Sequence, residues 1–540
     1  MEHTAPEEQG LLPSALAGGP DAGAGPGLRV SGGHVATPHP PVEDKDGNVI
    51  VAYTPTRLIC TTPCASCKIG WMGSFVLFVN TIIGPGILAI PWCYATSGFW
   101  PSTVGIFLAS VIACYAVLLT ADVVKRMPNN VDYARELAFC DPIEHFVGPK
   151  ANRVAHVFFF AAMLCQTVAT ISPAAQTLDE ICGFIFGRSW AFVVTGDLAG
   201  TFFTWNESQC DGLDTCEPFF TGSGGDDSIT TSTLIVSAGY AALFCITMPF
   251  CNAKLDDQMG LQWGSFVILV VCLVVYACYA GANATSGFPG DMPYADWDRM
   301  TNLPGTLIFN FMYTVFTTSW LSEKAPDVSA EQIAKTSAVF SGIIYVVIGA
   351  LLACVFGTSV TTDVATVLSA TSRPTYVRVA SYAFGLGVLV SGIPVNIIIT
   401  RDNLLAARMS RGAANALAMV LPWCISWIVY ESTAFGTLVD YSGLLVVAPL
   451  ALVVPFVVYL AMQKPPPDEA CPPTASSAWF LQSLAETDTI CAEQPPDGEP
   501  KARYPGGWHG AVAWTALFVI LVIIVATFAA IVAQIQATSS

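Results

Sequence analysis

Charged residues are scarce in this sequence. Only 11% of its 540 residues are Asp, Glu, Lys or Arg, whereas soluble globular domains carry about 25%. The scarcity is uneven, because several runs of about 20 residues hold almost no charge, and such a run is long enough to cross a bilayer as a helix. Together with 53% hydrophobic residues, this excludes an ordinary soluble domain and predicts an all-α polytopic membrane protein.

Positive charge is scarcer than negative charge. Lys and Arg number 22 against 40 Asp and Glu, so the formal net charge is -18. This balance argues against nucleic acid as a partner. Residues 1–68 also lack the early apolar core of a secretory signal, so we expect the first span to direct insertion. This Gly- and Pro-rich segment is predicted to be a disordered cytosolic tail.

The cysteines form no disulfide framework, since most of the 18 lie inside apolar runs, where Cys acts as a small buried hydrophobe. Cys60, Cys64 and Cys67 precede the first span and fit palmitoylation. A zinc site needs four ligands, and no fourth lies nearby. Near the start, "EEQGLL" resembles an acidic di-leucine sorting signal for lysosomes or vacuoles, although chance produces such hexamers often.

Eleven apolar runs are predicted to span the membrane. They are residues 70–94, 100–121, 154–177, 231–250, 260–281, 305–322, 337–357, 379–400, 413–430, 441–462 and 511–535. Spans 1–10 form a transporter core over 69–462. Residues 463–510, rich in Pro and acidic residues, are predicted to be a disordered cytosolic linker. Residues 511–540 hold the eleventh helix and a short outside C-terminus.

The positive-inside rule orients these spans. With the N-terminus inside, the inside segments hold 18 of the 22 basic residues. The long outside loop, 178–230, contains the glycosylation acceptor Asn206, and the next outside loop contains Asn283. Cys210 and Cys216 are near enough in sequence to form a disulfide in an oxidising lumen. Within this region, 181–196 is predicted to be a re-entrant or interfacial piece.

The triplet Gly84-Pro85-Gly86 lies near the middle of the first span. Gly and Pro are poor helix formers, and each unpaired peptide group in lipid costs several kcal/mol. A break is tolerated where it lines a cavity, as in transporters that present freed backbone groups to substrate and ions. A simple kink is the alternative, because Gly and Pro are common in membrane helices.

The surrounding stretch, "NTIIGPGILAIPWCYATSGFWPS", resembles the first-helix signature of the amino acid/auxin permease family, which includes sodium- and proton-coupled neutral amino acid transporters. The matching residues are Asn80, Gly84, Gly86, Ile87, Leu88, Pro91 and Trp92. "MPF" (248–250) and "IPVNIIITRDNLL" (393–405), with Pro394 and Arg401, are similar to further elements of the family. The resemblance runs over roughly 70–460, plus a terminal eleventh helix.

The resemblance implies a LeuT-like fold, in which spans 1–5 and 6–10 form inverted repeats and the broken first and sixth helices meet at the substrate. The residues it implies for substrate binding are Ile83, Gly84, Pro85, Gly86, Phe316, Thr317, Thr318 and Ser319. The chain departs from the family in "VFTTSW", which holds no mid-helix Gly or Pro. Thr residues at such positions are also common in helix packing.

Ionisable side chains are missing from the middle of every predicted span, and Asp179, Glu180 and Asp440 are expected at span ends. We therefore expect a neutral substrate, since a charged one would need a charged partner. Asn80 matches a sodium-site Asn of the family, with Ser391 as a second candidate ligand. Val390 and Gly392 stand where sodium-coupled relatives carry hydroxyls, so the coupling ion is a proton or sodium, with protons slightly favoured. No other cofactor is expected.

We therefore predict a secondary active transporter of neutral amino acids, in the plasma membrane or a lysosome- or vacuole-type membrane. The alternative is an amino acid sensor at an acidic organelle, with the tail 1–68 binding signalling proteins that the sequence does not name. An enzyme is not expected, since the spans contain no recognisable nucleophile–base pair. The expected partners are the amino acid and membrane lipid.

Overall fold

The structure is a computed structural model that describes residues 42–43, 49–50 and 68–463, except 129, 196–198, 221–233, 253–254, 285–291, 298, 302 and 431. Most of the predicted tail lies outside the described residues, as do "EEQGLL", Cys60, Cys64 and Cys67. The predicted linker and eleventh helix also lie outside them. In the tail, the described residues are strands β1 (Val42–Glu43) and β2 (Val49–Ile50), which pair antiparallel.

The described part of the chain beyond residue 67 is mostly helical. The helices before residue 300 are α1 (Trp71–Ile82), α2 (Ile90–Ser97), α3 (Phe99–Lys125), α4 (Asp141–Phe146), α5 (Pro149–Phe186), α6 (Ala238–Thr247) and α7 (Met259–Asn283). Those after it are α8 (Leu303–Asn310), α9 (Thr317–Glu323), α10 (Ala330–Phe356), α11 (Ala365–Leu368), α12 (Thr375–Phe384), α13 (Val390–Ala406), α14 (Arg411–Asn415), α15 (Leu421–Ser426), α16 (Ser432–Ser442) and α17 (Val454–Met462). Wider π-helical turns join α12 to α13, α14 to α15 and α16 to α17.

Seven helices of the described residues are long and apolar enough to cross a membrane, and the bent pair of α1 with the segment Pro85–Ser97 makes an eighth. These eight correspond to predicted spans 1, 2, 3, 5, 7, 8, 9 and 10. The fourth predicted span is a shorter apolar helix, Ala238–Cys251, and the sixth is divided between α8 and α9. The chain is a multi-pass integral membrane protein.

The structure differs from the prediction in two ways at the C-terminal end of the third span. Helix α5 does not stop at residue 177 but continues to Phe186, and an αL glycine, Gly187, then ends it. The expected re-entrant or interfacial piece is instead strand β3 (Arg188–Val193), whose exposed and buried residues alternate. It pairs antiparallel with β4 (Phe202–Asn206) and β5 (Ile235–Ser237), giving a three-stranded sheet in the order β4-β3-β5. The sequence signal that was missed is the presence of the strand-favouring residues Trp190, Phe192 and Val193.

Two long helices organise the packing. Helix α10 packs against α1, α2, α3 and α7, while α5 packs against α6, α13, α15 and the π-helical segment Gly443–Val453. The first span contributes to both groups, since α1 contacts α10 and the turn after α1 contacts α5. The break in the first span is therefore surrounded by protein, where its freed backbone groups can find partners.

Candidate functional site

The first span is broken at the predicted triplet. Helix α1 ends at Ile82, Ile83 and Gly84 leave helical geometry, and a 3-10 turn begins at Pro85. The two halves are bent by 44°. Pro85 has no amide hydrogen to donate, and the next main-chain bond, from Ile87 N to Gly84 O, is long at 3.4 Å. The break thus frees peptide groups near the middle of the span.

The sixth span is also broken, although the sequence offers no Gly or Pro there. Helix α8 ends at Asn310, Phe311 adopts φ −98° and ψ 30°, and a 3-10 turn runs from Met312 to Phe316 before α9. The Asn310 side chain donates to the Thr306 carbonyl at 2.8 Å. Such side-chain bonding competes with the helix ladder, and this lone Asn in an apolar run was the signal that sequence reasoning missed.

Asn310 also joins the two breaks. A Cβ built on Gly86 would lie 1.5 Å from Asn310 Oδ1, so only glycine fits at that position. The Tyr345 hydroxyl from α10 contacts the Ile82 carbonyl and lies 3.1 Å from Asn310 Oδ1. Its single proton can serve only one of these acceptors at a time. Gly86, Asn310 and Tyr345 therefore form a tight contact between the broken segments.

A small cavity of about 30 Å³ lies beside the first break. Such a volume holds about two water molecules, so it is too small for a free amino acid and substrate entry requires movement. Its lining combines α1, α5, α7, the 3-10 turn before α9 and the helix pair α12–α13. The lining residues are Asn80, Thr81, Gly84, Pro85, Gln166, Thr170, Gln262, Phe316, Val388, Leu389, Ser391, Gly392, Val395 and Asn396.

The structure brings together part of the predicted substrate set. Gly84, Pro85 and Phe316 line the cavity. Ile83 is fully buried, and Gly86 faces Asn310 rather than this space. The remaining predicted residues, Thr317, Thr318 and Ser319, lie one to three positions along α9 and are not among the lining residues.

The two candidate sodium ligands line the same cavity, but they differ in whether their oxygen atoms already have hydrogen-bond partners. Asn80 Nδ2 donates to the backbone oxygen and to Oε1 of Gln262, at 2.8 and 2.9 Å. Asn80 Oδ1 is left without a partner among the described residues. The Ser391 hydroxyl is already engaged, 2.9 Å from Ser265 Oγ and 2.8 Å from the Val388 carbonyl. Asn80 therefore offers an open acceptor, whereas Ser391 would have to reorient.

Sequence reasoning missed the amide of Gln166, which lines the same cavity as Asn80. Gln166 on α5 is 7% exposed, and its Oε1 has no partner among the described residues. Its Nε2 would lie 3.9 Å from a Cβ on Gly84. Buried polar groups are nearly always hydrogen-bonded, so an open one needs an explanation. A lone Gln in an apolar run was the available signal. All the lining residues are uncharged, so the cavity offers neutral donors and acceptors.

Ionisable groups within the helices are more deeply buried than the sequence predicts. Asp179 is 0% exposed, Glu180 5% and Asp440 8%. The expectation that these residues lie at span ends was wrong. Helix α5 continues past Asp179 and Glu180 to Phe186, and the apolar helix that contains Asp440 already begins at Ala434. Asp179 accepts hydrogen bonds from the Ser189, Ser237 and Tyr430 hydroxyls and from the Gly239 amide. Four donors satisfy a carboxylate, so Asp179 anchors the three-stranded sheet to the helices.

The structure also places the candidate disulfide and glycosylation residues of the two predicted outside loops. Cys210 and Cys216 are joined in a disulfide. Asn206 ends β4 and is exposed. Asn283 is the last residue of α7, and its Nδ2 donates to the Tyr279 carbonyl at 2.8 Å. Both acceptors lie at exposed positions.

A comparison of the sequence with protein-family models gives a match that contains the broken first span. Residues 67–200 match the family model described as transmembrane amino acid transporter protein. This stretch includes the break, and the match confirms over these residues the resemblance carried by the first-helix motif. It indicates a membrane transporter rather than an enzyme.

Solved structures add little to this assignment. A manganese transporter of Eremococcus coleocola, in complex with an aromatic bis-isothiourea substituted compound, is 11% identical, with a TM-score of 0.45 over 86% of this chain and 94% of that one. A variant of the same transporter gives 12% identity and a TM-score of 0.43 over the same shares. These values assign neither a fold nor a substrate to this chain. No curated protein matches its sequence.

Proposed function

We propose that this protein is a secondary active transporter of neutral amino acids, with the substrate bound where the broken first and sixth segments meet. The observation that carries the proposal is the cavity at the first break, lined from both segments by Gly84, Pro85 and Phe316. Freed amides and the positive end of a half-helix suit a carboxylate, and freed carbonyls suit an ammonium group or a cation.

A neutral substrate follows from the lining. An anionic or cationic side chain would need a charged partner in this water-poor site, and none of the lining residues is charged. Gln166, Thr170 and Asn396 instead supply hydroxyl and amide groups. Either sodium, held near Asn80, or a proton is the coupling ion.

The positions of the breaks support an inverted repeat of spans 1–5 and 6–10. In transporters built this way, the discontinuous helices occupy corresponding positions of the two halves. Here they are the first and sixth of the predicted spans. The plasma membrane or a lysosome- or vacuole-type membrane is the proposed location, with a glycosylated outer loop.

The test is uptake by the purified full-length protein in proteoliposomes. A panel of radiolabelled amino acids is offered while sodium and pH gradients are varied separately. Concentrative uptake of neutral amino acids supports the proposal. Saturable binding with no uptake under any gradient contradicts it and favours the sensor alternative.

Gln166→Leu sharpens this test. The substitution keeps a similar volume and removes a buried amide whose oxygen is unpaired, so stability stays the same or rises. The apparent KM for the substrate should rise by roughly tenfold, the loss of about one good hydrogen bond. Gln332→Leu, at an exposed position near the start of α10, is the control and should leave KM unchanged. An unchanged KM in Gln166→Leu would remove this residue from the site.

A further inference from the structure

Asp440 is a buried carboxylate held by the outer piece of the broken sixth segment. The Thr306 hydroxyl donates to Asp440 Oδ1, and the Thr306 main chain bonds the same carboxyl group. The backbones of the two helices are also in close contact here. A Cβ built on Gly305 would lie 2.2 Å from the carbonyl oxygen of Asp440, and a Cβ built on Gly443 would lie 2.0 Å from the carbonyl oxygen of Gly305. Helices α8 and α16 therefore pack in close contact at the Asp440 carboxylate.

The structure shows no positive charge beside this group in the described part of the chain. Among the described residues, Asp440 takes part in no salt bridge. Within the same part of the chain, the titratable side chains that face this region from neighbouring elements are the thiol of Cys93 on α2 and that of Cys165 on α5, which contacts Ser442. Helix α8, the segment Trp427–Val429 and the segment Gly443–Val453 contribute none. Burying a carboxylate without a positive partner costs free energy in a membrane protein, so such a residue is a candidate for a functional role.

A continuous set of hydrogen bonds leads from Asp440 to the first break. Thr306, which donates to Asp440, accepts at its carbonyl from Asn310 Nδ2 at 2.8 Å. Asn310 Oδ1 lies 3.1 Å from the Tyr345 hydroxyl, which also contacts the Ile82 carbonyl at the end of α1. Any shift of α8 that follows a change at Asp440 must therefore disturb the contact of Asn310 with Gly86 and Tyr345.

We propose that Asp440 is the proton-binding residue of this transporter, and that Thr306 and Asn310 are positioning residues that link its protonation to the two breaks. The inference rests on the proposed amino acid transport and deepens it by assigning the coupling ion. A proton from water on one side of the membrane adds to the carboxylate. It leaves to water on the other side after the substrate site has changed its access, and no other bond is made or broken.

The coupling has a plain electrostatic basis. Hydrogen bonds to an ionised acceptor are roughly twice as strong as those between neutral groups. Neutralising Asp440 therefore weakens its hold on Thr306 and on α8. A proton can drive the transition only if the two states differ in their affinity for it, and the contact between Thr306 and Asp440 supplies such a difference.

The decisive variant is Asp440→Asn, which keeps the shape of the side chain and cannot be ionised. In sodium-free proteoliposomes, we expect the wild type to accumulate neutral amino acids when a pH gradient is imposed. Asp440→Asn should lose this stimulation, and any exchange that remains should no longer vary with pH. The matched control is Asp214→Asn, at a side chain 71% exposed in the outer loop, which should keep the wild-type pH profile.

Thr306→Val tests the positioning role. It removes the donor that stabilises the carboxylate, so the pH midpoint of uptake should move to higher pH, and Thr306→Ser should restore it. A purely structural role would lower uptake at every pH without moving the midpoint, which would overturn the assignment. This measurement also decides the matter if Asp440→Asn does not insert.

The outcomes separate the inference from the proposed function. Amino acid uptake driven by sodium and insensitive to pH overturns the role of Asp440 and leaves the transporter in place. Full stimulation by a pH gradient in Asp440→Asn overturns it as well. If no amino acid is transported by the wild type under any gradient, the proposed function fails, and the coupling inference fails with it.

Discussion

Gly86 is the position where the smallest change should have the largest effect. Gly86→Ala would place a methyl carbon 1.5 Å from Asn310 Oδ1, so Asn310 must give up its bond to Thr306 or its place beside Tyr345. We expect a loss of about 1–3 kcal/mol of stability, typical of overpacking, and a loss of uptake per inserted molecule. Uptake in proteoliposomes and thermal unfolding in detergent measure the two effects.

Gly84→Ala and Gly264→Ala are the comparisons for Gly86→Ala. At Gly84 the new methyl would meet its neighbours at 3.7–3.9 Å, an ordinary contact, so the effect on uptake should be smaller. Gly264 lies on α7 with nothing within 4 Å, and Ala favours a helix over Gly by up to about 1 kcal/mol. Normal uptake and stability in Gly86→Ala would show that the close contact with Asn310 is not required.

At the scale of elements, Tyr345 ties α10 to both broken segments. Tyr345→Phe keeps the buried ring and removes the hydroxyl that contacts the Ile82 carbonyl and Asn310. Leaving buried acceptors unpaired costs about 1–3 kcal/mol, so we expect a lower unfolding temperature and altered transport rates.

Tyr313→Phe is the matched control for stability. Tyr313 is as deeply buried, and its hydroxyl has no partner among the described residues. Removing that hydroxyl should leave the unfolding temperature unchanged or raise it. Equal effects of the two substitutions would mean that the Tyr345 contact contributes nothing specific.

The connection between α10 and α11 carries a predicted pH effect on stability. Burial raises the pKa of Asp363 from 3.8 to about 7, although its Oδ1 accepts from the Ala365 amide at 2.8 Å. The folded state therefore binds a proton that the unfolded state has released between about pH 4 and 7, so stability falls as the pH rises through this window. Asp363→Asn should be the more stable protein at pH 8 and should lose this part of the pH dependence.

Unfolding temperatures at pH 5 and pH 8 check the role of Asp363. Asn can still accept from the Ala365 amide through its side-chain oxygen, so the variant changes the charge more than the contact. Asp214→Asn, at an exposed side chain in the predicted outside loop, should follow the wild type. If Asp363→Asn shows the same difference between the two pH values as the wild type, another group is responsible.

For the whole molecule, the distribution of basic residues predicts an inside N-terminus, an outside C-terminus and glycosylation at Asn206. The physical reason is the retention of Lys and Arg on the cytosolic side during insertion, with 18 of the 22 basic residues on that side. Protease protection of tags at both ends, together with the mobility shift of Asn206→Gln after glycosidase treatment, measures this. Both ends on one side would rule out eleven spans.

Several features of this protein followed from the sequence alone. Long uncharged runs predicted the membrane helices, because only a helix satisfies its own backbone in lipid. Gly84-Pro85-Gly86 predicted the first break, since those residues oppose a helix wherever they lie. The resemblance carried by the first-helix motif implied that the substrate site involves Gly84 and Pro85; both line the cavity, and their role in substrate binding stays a prediction.

Only the tertiary structure decided what the neighbours of these residues are. The break after Asn310 has no Gly or Pro, and it depends on a side-chain bond and on contact with Gly86 across the molecule. The sequence predicts Asp440 at the end of a span. It is nevertheless buried, because Gly305 of α8 and Gly443, which follows α16, allow the two backbones to approach closely. Local propensity acts over a few residues, whereas burial and hydrogen-bond partners depend on segments more than 100 residues apart, such as Thr306 and Asp440, which no local pattern specifies.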